Sequence, residues 1–340
     1  MNSHRLLDNI PFTPMEETTA RAGIIVAPGK IEWKEINIPE PGKGEVRIKI
    51  EGCGLCASGL PVWEGREWFD YPVTPGNPGH EVWGTIDAIG EGVEGFALRN
   101  RVTGLSFNGF ATHDIAKAEH LVVLPDFLDG KPFPGEPIGC AMNIFKRAEI
   151  TVKDTVAVIG CGFLGLLLIQ TLKAADCKVI AISRRGFSLI KALEAGADEI
   201  IHLDDHQEII EKVKEITDGK FCDRVIECTG KEWPLNLGIE LTRTRGKLIV
   251  AGFHQDGMRS VNMQLLNWRG IDLISAHERN PMEYVEGIKN AIEATQLGII
   301  YPFDLITHSY SPEELEKGFQ DLQQRPDGFV KGIMLHENNE

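Results

Sequence analysis

Two patterns of hydrophobic and polar positions divide the chain. Before residue 148, short segments alternate polar and apolar side chains, as residues 45–50 do, and clusters of proline and glycine such as residues 39–44 separate them. Strict alternation is typical of a strand with one buried face, and the clusters indicate tight turns. The pattern predicts a distorted β-rich barrel with strands at residues 23–26, 31–36, 45–50, 81–89 and 120–124.

After residue 147, short apolar runs alternate with helical stretches such as residues 164–174 and 206–217. This alternation is typical of a parallel sheet with helices on both faces. Six strands in two halves is the strand count of the Rossmann fold. The six apolar runs lie at residues 155–159, 178–182, 199–202, 224–228, 247–251 and 272–275.

The two patterns together predict the domain organisation. Short strands return near the end of the chain, at residues 306–309 and 330–334, and we expect this segment to rejoin the first domain. We therefore predict an α/β protein in which residues 148–297 form a Rossmann doubly wound parallel sheet. Residues 1–147 and 298–340 would form a second, β-rich domain. A chain of 340 residues is long enough for two such domains.

Composition favours a soluble cytoplasmic enzyme. The formal net charge of −15 argues against nucleic acid or an anionic membrane as the main partner. No apolar run approaches the ~18 residues of a membrane span. Residues 1–20 lack the apolar core of a signal peptide, and we expect them to form an extension. Seven cysteines, an odd number, fit a reducing compartment without a disulfide framework.

The first motif with chemistry is the glycine sequence that follows the strand at residues 155–159. Gly160 allows a tight turn, Gly162 lets a pyrophosphate approach the backbone, and Gly165 permits close packing of helix and strand. The free amides at the start of the helix, at Phe163 and Leu164, would bind the phosphates. A glycine turn without a ligand is the alternative, and the six matching strands disfavour it.

The end of the second Rossmann strand bears on the choice of nicotinamide cofactor. An acidic residue there would bind both ribose hydroxyls of NAD. This chain has Ser183, Arg184 and Arg185 instead. A small hydroxyl leaves room for a 2′-phosphate, and a guanidinium can pair with it bidentately. The alternative is that the arginines only solvate a loop. We predict that NADP is favoured over NAD.

Soft metal ligands precede the glycine motif. Cys56, His80 and Cys140 offer the thiolates and imidazole that zinc prefers. Cys53 and Cys56 could form a redox dithiol, but they lack the strand-to-helix placement of such motifs. A structural zinc knuckle would need a second cysteine pair, which is absent from the sequence. A Lewis acid and a hydride carrier are therefore predicted to share one crevice.

These motifs together resemble the medium-chain dehydrogenase/reductase family, specifically its zinc-containing alcohol and polyol dehydrogenases. The resemblance runs from about residue 20 to residue 336. It rests on the metal loop at residues 44–56, the Gly-His-Glu segment at 78–84, the strand region at 92–102 and the third ligand region at 135–140. It implies that the β-rich domain is GroES-like and catalytic. It also implies a homodimer or homotetramer.

The resemblance implies Cys56, His80 and Cys140 as ligands of a catalytic zinc, with Glu81 as an exchangeable or alternative one. Neighbouring side chains on a strand point to opposite faces, so His80 and Glu81 can share a metal only at an irregular turn. Glu136 is a second candidate, because it would lie four residues before Cys140 on one helix face. Glu81, Glu136 or water remain alternatives for completing the coordination sphere.

The chain departs from the family's pattern in three ways. At residues 101–110 the sequence lacks the four-cysteine lobe that relatives carry at this place, so a single zinc is expected. Gly59 and Pro61 replace the Asp and His that support the metal and end the proton relay in relatives. Ala57 replaces a basic residue that is sometimes present. Ser58 keeps the hydroxyl that contacts the substrate alcohol in relatives.

The reaction implied is hydride transfer between an alcohol and a nicotinamide, with Ser58 relaying the proton outward. Lys331 matches a basic family position near the cofactor, and Thr229 is a further expected cofactor contact. The Glu136-Pro137 pair resembles the polyol and sugar branch, so the small-molecule substrate is predicted to be a polyol, sugar or cyclitol. Residues 63–71 could form a specificity wall, a packed surface loop or a subunit contact.

Two other functions remain possible at this stage. One is a metal-free, NADPH-dependent quinone or enone reductase on the same fold. The other is a non-catalytic cofactor-binding protein that has kept the fold. The Cys, His and Cys set argues against both, because such a set is hard to explain without a metal.

Overall fold

The first part of the chain is β-rich. The computed structural model describes residues 19–255 and 257–336, so all but the last two residues of the predicted N-terminal extension lie outside the described part. Two helices interrupt the strands, α1 (Leu60–Glu64) and α2 (Gly135–Arg147). The strands are β1 (Thr19–Ala27), β2 (Lys30–Asn37), β3 (Glu45–Gly54), β4 (Glu81–Ile89), β5 (Arg101–Gly104), β6 (His113–Lys117) and β7 (Leu121–Val123).

The middle part alternates strands and helices. Its strands are β8 (Thr155–Ile159), β9 (Lys178–Ser183), β10 (Glu199–His202), β11 (Cys222–Glu227), β12 (Thr242–Val250) and β13 (Asp272–Ser275). Its helices are α3 (Phe163–Ala174), α4 (Gly186–Glu194), α5 (His206–Ile216), α6 (Glu232–Leu241), α7 (Met263–Arg269) and α8 (Pro281–Gln296). The six strands are all parallel, in the order β10-β9-β8-β11-β12-β13. This is the Rossmann order, which confirms the predicted doubly wound sheet.

The last part of the chain returns to the first sheet. Strand β14 (Ile306–Tyr310), helix α9 (Leu315–Gln324) and strand β15 (Lys331–Leu335) follow α8. The strand order of that sheet is β14-β15-β3-β4-β5-β7, with β6 paired to β3. Because β15 pairs antiparallel with β3, the C-terminal segment lies beside the end of the strand that leads to Cys56.

The buried core follows the alternation of side chains along the parallel strands. On β8, Val156 and Val158 contribute to the hydrophobic cluster that includes α2 and α3. Ala157 and Ile159 contribute to the cluster that includes α5 and α6. All four side chains are fully buried, because helices cover both faces of a doubly wound sheet. No helix within residues 19–255 and 257–336 has the length and apolarity needed to cross a membrane.

A close crossing of two helices joins the two sheets. At Gly287 on α8, an added Cβ would lie 2.6 Å from the carbonyl oxygen of Gly139 on α2. At Gly139, an added Cβ would lie 2.8 Å from the backbone nitrogen of Ile288. Two glycines therefore let the helix backbones pack at a distance that larger residues would prevent. The crossing fixes α2, and with it Cys140, against the Rossmann part of the molecule.

Candidate active site

The loop after β3 carries the first candidate metal ligand. Cys56 precedes a short turn at residues 57–59 and is only partly buried. The Ser58 hydroxyl donates a hydrogen bond to Cys56 Sγ at 3.2 Å, and its Oγ lies 3.4 Å from His80 Nε2. The hydroxyl therefore lies between the thiol and the imidazole.

His80 is oriented by the backbone of its own turn. Its Nδ1 lies 2.8 Å from the carbonyl oxygen of Pro78. A carbonyl can only accept, so Nδ1 carries the proton, and the lone pair of a neutral ring would be on Nε2. A partner of this kind on the second ring nitrogen is usual for a histidine that ligates a metal. At Gly79 an added Cβ would lie 2.5 Å from Phe110 N, so the turn has room only for glycine.

Three candidate ligands meet at this turn. Suitable ligand atoms of Cys56, His80 and Glu81 all lie within 4.8 Å of one another. The irregular turn thus brings His80 and its neighbour Glu81 to the same place, although Glu81 begins strand β4. This group does not include Glu136 or Cys140.

The two other candidates, Glu136 and Cys140, lie one turn apart on α2. The Cys140 thiol donates to Glu136 Oε1 at 3.3 Å. Burial is the main cause that raises the pKa of Glu136 above its usual value, and it raises the pKa of the Cys140 thiol well above its usual range. The pair is therefore electrostatically linked to the metal loop, since the charge of Cys56 also raises the pKa of Cys140.

The site as a whole favours positive charge. Burial alone would lower the pKa of His80, but the surrounding negative charges outweigh it and raise the pKa to about 10. Those charges belong to Cys56, Glu136 and Glu81. A divalent cation among the same groups would compensate the charges and leave the ring neutral, as metal ligation requires.

Glu81 is held by a buried ion pair. Its carboxylate is fully buried, and Oε2 contacts the ammonium of Lys331, which is itself 5% exposed. Lys331 also donates to the carbonyl oxygen of Leu55 at 3.0 Å and lies 5.1 Å from the ring centre of Phe163. The other oxygen, Oε1, has no hydrogen-bond partner among the described residues. A buried carboxylate oxygen without a partner fits a metal ligand.

The glycine motif forms an open cradle between β8 and α3. Gly160 has a φ of 101°, and an added Cβ there would lie 2.7 Å from Thr229 Cγ2. At Gly165 an added Cβ would overlap the carbonyl oxygen of Gly160. At Gly162, in contrast, nothing lies within 4 Å of an added Cβ. The backbone is therefore exposed to a ligand where the pyrophosphate is expected, ahead of Phe163 and Leu164 at the helix start.

The predicted ribose end of the cofactor site lies at the end of β9. Ser183 is buried, Arg184 is exposed and Arg185 is intermediate. Arg185 donates to the carbonyl oxygen of Phe329 at 2.7 Å, so part of its guanidinium connects the Rossmann part to the segment before β15. Arg184 has no hydrogen-bond or ion-pair partner among the described residues.

A buried carboxylate that the sequence reasoning missed supports Thr229. Glu227, at the end of β11, accepts hydrogen bonds from the Thr229 and Gly230 amides at 2.6 Å and 2.9 Å, and from the Thr229 hydroxyl. Its other oxygen lies 3.0 Å from His254 Nε2. The next residue, Gln255, donates to the carbonyl oxygen of Ala57 at 3.2 Å. These contacts connect the cofactor loops to the metal loop.

Tyr284 is a second residue that the sequence reasoning missed. It lies on α8, and its hydroxyl donates to the carbonyl oxygen of Glu278 at 3.0 Å. Burial raises its pKa, and the negative charges of Cys140 and Glu136 raise it further. The phenol is therefore within electrostatic range of these two groups.

Some aromatic residues of the loop at residues 63–71 pack against the rest of the protein, and others do not. Trp63 is buried and stacks on Phe319 with ring centres 5.1 Å apart. The Tyr71 hydroxyl donates to the carbonyl oxygen of Val62. Trp68 remains 56% exposed. Trp63 is thus part of the packed interior, Tyr71 is tied to α1 by its hydroxyl, and Trp68 is the exposed aromatic residue of the loop.

Comparison with known proteins identifies the family of this chain. The family described as Alcohol dehydrogenase GroES-like domain matches residues 42–126, and the family described as Zinc-binding dehydrogenase matches residues 164–293. Sorbitol dehydrogenase of Halalkalibacterium halodurans is 30% identical over 320 residues, which cover 84% of this chain and 90% of that protein. D-arabitol-phosphate dehydrogenase of Enterococcus avium is 27% identical, with 92% and 96% covered.

A solved structure extends the agreement to three dimensions. An oxidoreductase/dehydrogenase of unknown specificity from Escherichia coli superposes with a TM-score of 0.85. It is 20% identical, and the match covers 94% of this chain and 100% of that one. At this level of identity the likeness concerns the fold alone.

The buried pair of Glu81 and Lys331 generates a stability prediction. We expect Lys331→Met to lower the free energy of unfolding of the metal-free protein by about 3–5 kcal/mol, because the Glu81 charge would be left buried without its partner. Urea denaturation measures the loss. The matched control is Lys146→Met, which breaks an exposed pair with Glu283 and should cost within about 1 kcal/mol.

The double variant Lys331→Met/Glu81→Gln separates the charge effect from lost packing. We expect it to be more stable than Lys331→Met alone, because it contains no buried unpaired charge. Strictly additive losses from the two single variants would show that the two side chains do not interact.

Proposed function

The chain belongs to the zinc-containing medium-chain dehydrogenase/reductase family, and we propose that it is a zinc-dependent dehydrogenase of a polyol, sugar or cyclitol. The observation that carries the proposal is the convergence of Cys56, His80 and Glu81 beside the glycine cradle. Within it, a buried Glu81 oxygen has no partner among the described residues. In this proposal residues 1–147 and 298–340 form the catalytic domain, and residues 148–297 bind the cofactor.

The ligand set we propose is Cys56, His80 and Cys140, with Glu81, Glu136 or water completing it. When bound, zinc would supply Lewis acidity toward an alcohol oxygen, and the nicotinamide would accept the hydride. The thiols would bind as thiolates, so metal binding would release their protons. One zinc per chain is proposed.

Ser58 is proposed as the group that takes the substrate proton. Its Oγ lies 3.2 Å from Cys56 Sγ and 3.4 Å from His80 Nε2, so the hydroxyl lies directly beside two of the proposed metal ligands. It is partly exposed, whereas Gly59 is buried and Pro61 lies in the first turn of α1. Neither of these neighbours can carry a proton, so Ser58 would pass it directly to water.

The substrate class is proposed from the polar groups around the ligands. Glu136 and Tyr284 offer a carboxylate and a phenol close to Cys140, and hydroxyls flanking the reacting carbon could hydrogen-bond to them. The two relatives that act on sorbitol and on arabitol phosphate belong to the same broad class. Such a site would reject analogues without these hydroxyls, because its polar groups would be left unpaired.

The cofactor proposal is NADP in preference to NAD. Arg184 is exposed and without a partner among the described residues, and no acidic residue occupies the end of β9. Gly160, Gly162 and Gly165, with the amides of Phe163 and Leu164, would hold the pyrophosphate. Further contacts are proposed from Ser183, Arg185, Thr229 and Lys331.

A homo-oligomer in a reducing cytoplasm is proposed for the assembled enzyme. The seven cysteines are all free thiols. Strand β13 lies at the edge of the Rossmann sheet, and Leu273 on it and Trp268 on the preceding helix α7 are 42% and 87% exposed. An edge strand with large exposed apolar side chains is a surface that a second copy of the chain could cover.

The metal proposal predicts the behaviour of Cys56→Ala. We expect zinc content to fall from about one per chain to a small fraction, and kcat/KM to fall by more than about a hundredfold, because a ligand is lost. Metal analysis and steady-state kinetics measure the two effects. Cys177→Ala, which removes a buried thiol of the Rossmann part, is the matched control and should keep both values.

Two results would contradict the metal proposal. One is two zinc ions per chain, and the other is full activity after exhaustive chelation. A zinc-free protein that reduces enones with NADPH would be the metal-free reductase instead. A protein that binds NADPH but turns over no alcohol or enone would be the non-catalytic alternative.

The cofactor proposal predicts the effect of Arg184→Ala. We expect the dissociation constant of NADPH to rise about tenfold to a hundredfold, and that of NADH to change by less than about threefold, because only NADPH offers the 2′-phosphate. Isothermal titration calorimetry measures both constants. Equal affinity of the unaltered enzyme for the two cofactors would count against NADP.

The substrate proposal predicts the ranking of a matched pair. We expect kcat/KM for a cyclitol to exceed that for cyclohexanol by at least about a hundredfold, because the ring size is shared and only the flanking hydroxyls differ. Initial rates with both compounds test it. If cyclohexanol is the better substrate, the polar recognition is wrong, while the metal proposal stands on its own measurement.

A further inference from the structure

A third arginine, Arg325, lies near the predicted ribose end of the cofactor site. It belongs to the segment between α9 and β15, on the side of the catalytic domain. Residues 325–329 form a turn in which the Phe329 amide donates to the Pro326 carbonyl at 3.0 Å. Arg185, at the end of the Rossmann strand β9, donates to the Phe329 carbonyl at 2.7 Å. This bond fixes the turn, and Arg325 at its start, against the strand end that carries Arg184.

The three guanidinium groups form a cluster of positive charge. Burial and then the charge of Arg184 lower the pKa of Arg325. Burial and then the charges of Arg325 and Arg184 lower the pKa of Arg185. Within residues 19–255 and 257–336, no carboxylate lies within the 4.0 Å ion-pair distance of any of the three. Asp327 offsets part of the repulsion at Arg185 without forming an ion pair, so the cluster would be stabilised further by an anion.

The backbone conformation at Arg325 is unusual for a residue with a side chain. The residue ends helix α9 with φ 49° and ψ 65°, in the left-handed region. Glycine is the usual residue at such a helix end, because any side chain is strained there. The chain nevertheless has an arginine at this position, and its side chain makes no hydrogen bond or ion pair with the described residues.

We propose that Arg325 binds the 2′-phosphate of NADP from the catalytic-domain wall, opposite Arg184, and so determines cofactor specificity. The inference rests on the proposed function, since it takes NADP as the cofactor. A phosphate monoester carries close to two negative charges and three acceptor oxygens at neutral pH, which two guanidinium groups can share. Arg185, already bonded to Phe329, holds the two walls together.

The test compares cofactor affinities of the full-length, zinc-loaded enzyme and its Arg325→Gly variant. Glycine adopts φ 49° without strain, so this variant removes the guanidinium and does not impose a new backbone. We expect the dissociation constant of NADPH to rise about tenfold to a hundredfold and that of NADH to change by less than about threefold. Calorimetric titration gives both constants without any catalytic step.

Arg245→Gly is the matched control. Arg245 is also an exposed arginine with a positive φ, 57°, and it lies near the amino end of β12, away from the cofactor edge of the sheet. The variant removes the same charge and the same backbone strain. It should leave the affinities for NADPH and NADH unchanged, which separates a local contact from a change in net charge.

The double variant Arg184→Ala/Arg325→Gly tests whether the two arginines share one phosphate. We expect its loss of NADPH affinity to be smaller than the product of the two single losses, because the second removal acts on a contact already weakened. Independent, multiplicative losses would contradict a shared phosphate.

The remaining outcomes distinguish this inference from the cofactor proposal. Unchanged NADPH affinity in Arg325→Gly, with NADPH still preferred and Arg184→Ala still impaired, overturns the role of Arg325 and leaves NADP as the cofactor. Equal weakening of NADPH and NADH also overturns it, because the lost contact would then be with a group that both cofactors share. Equal affinity of the unaltered enzyme for the two cofactors overturns both proposals.

Discussion

The buried ion pair between Glu81 and Lys331 is the contact on which the geometry of the site depends. Glu81 follows His80 directly in the chain, and Lys331 begins the strand that pairs with β3. The same ammonium contacts the carbonyl oxygen of Leu55, beside Cys56, and lies over the ring of Phe163 at the start of α3. One cation thus joins the metal loop, the histidine turn and the cofactor cradle. Because removing either charge would leave the other buried, these parts must be assembled together.

Glycines provide the second constraint, since they set how closely the parts approach. Gly139 and Gly287 allow α2 and α8 to cross closely, which brings Cys140 on one helix near Tyr284 on the other. Gly162 plays a different role, because the space above it is open. The close packing fixes the protein groups, and the open backbone leaves room for a ligand.

Hydrophobic patterns and short motifs predicted those elements and residues whose structure depends mainly on their neighbours in the sequence. The six Rossmann strands follow from apolar runs alternating with helices. Two of them begin earlier than predicted, since β11 starts at Cys222 and β12 starts at Thr242. The short strand β6 was not predicted, because its five residues are fixed by pairing with the distant strand β3. Of the strand region expected at residues 92–102, only residues 101 and 102 lie in an observed strand, β5. Cys56 and His80 were found from their motifs.

Side chains that reach the site from distant parts of the chain could not be predicted in the same way. Glu227 has no motif of its own, and its role is evident only from the amides that it accepts from. Tyr284 and Arg325 approach from α8 and from the end of α9, and nothing in their neighbouring sequence indicates the contact. The pairing of Lys331 with Glu81 spans 250 residues of sequence, so only the folded structure brings the charges together. The β-rich part and the Rossmann part therefore both contribute to the metal site and to the cofactor site. We expect a substitution in either part to affect both metal binding and cofactor binding.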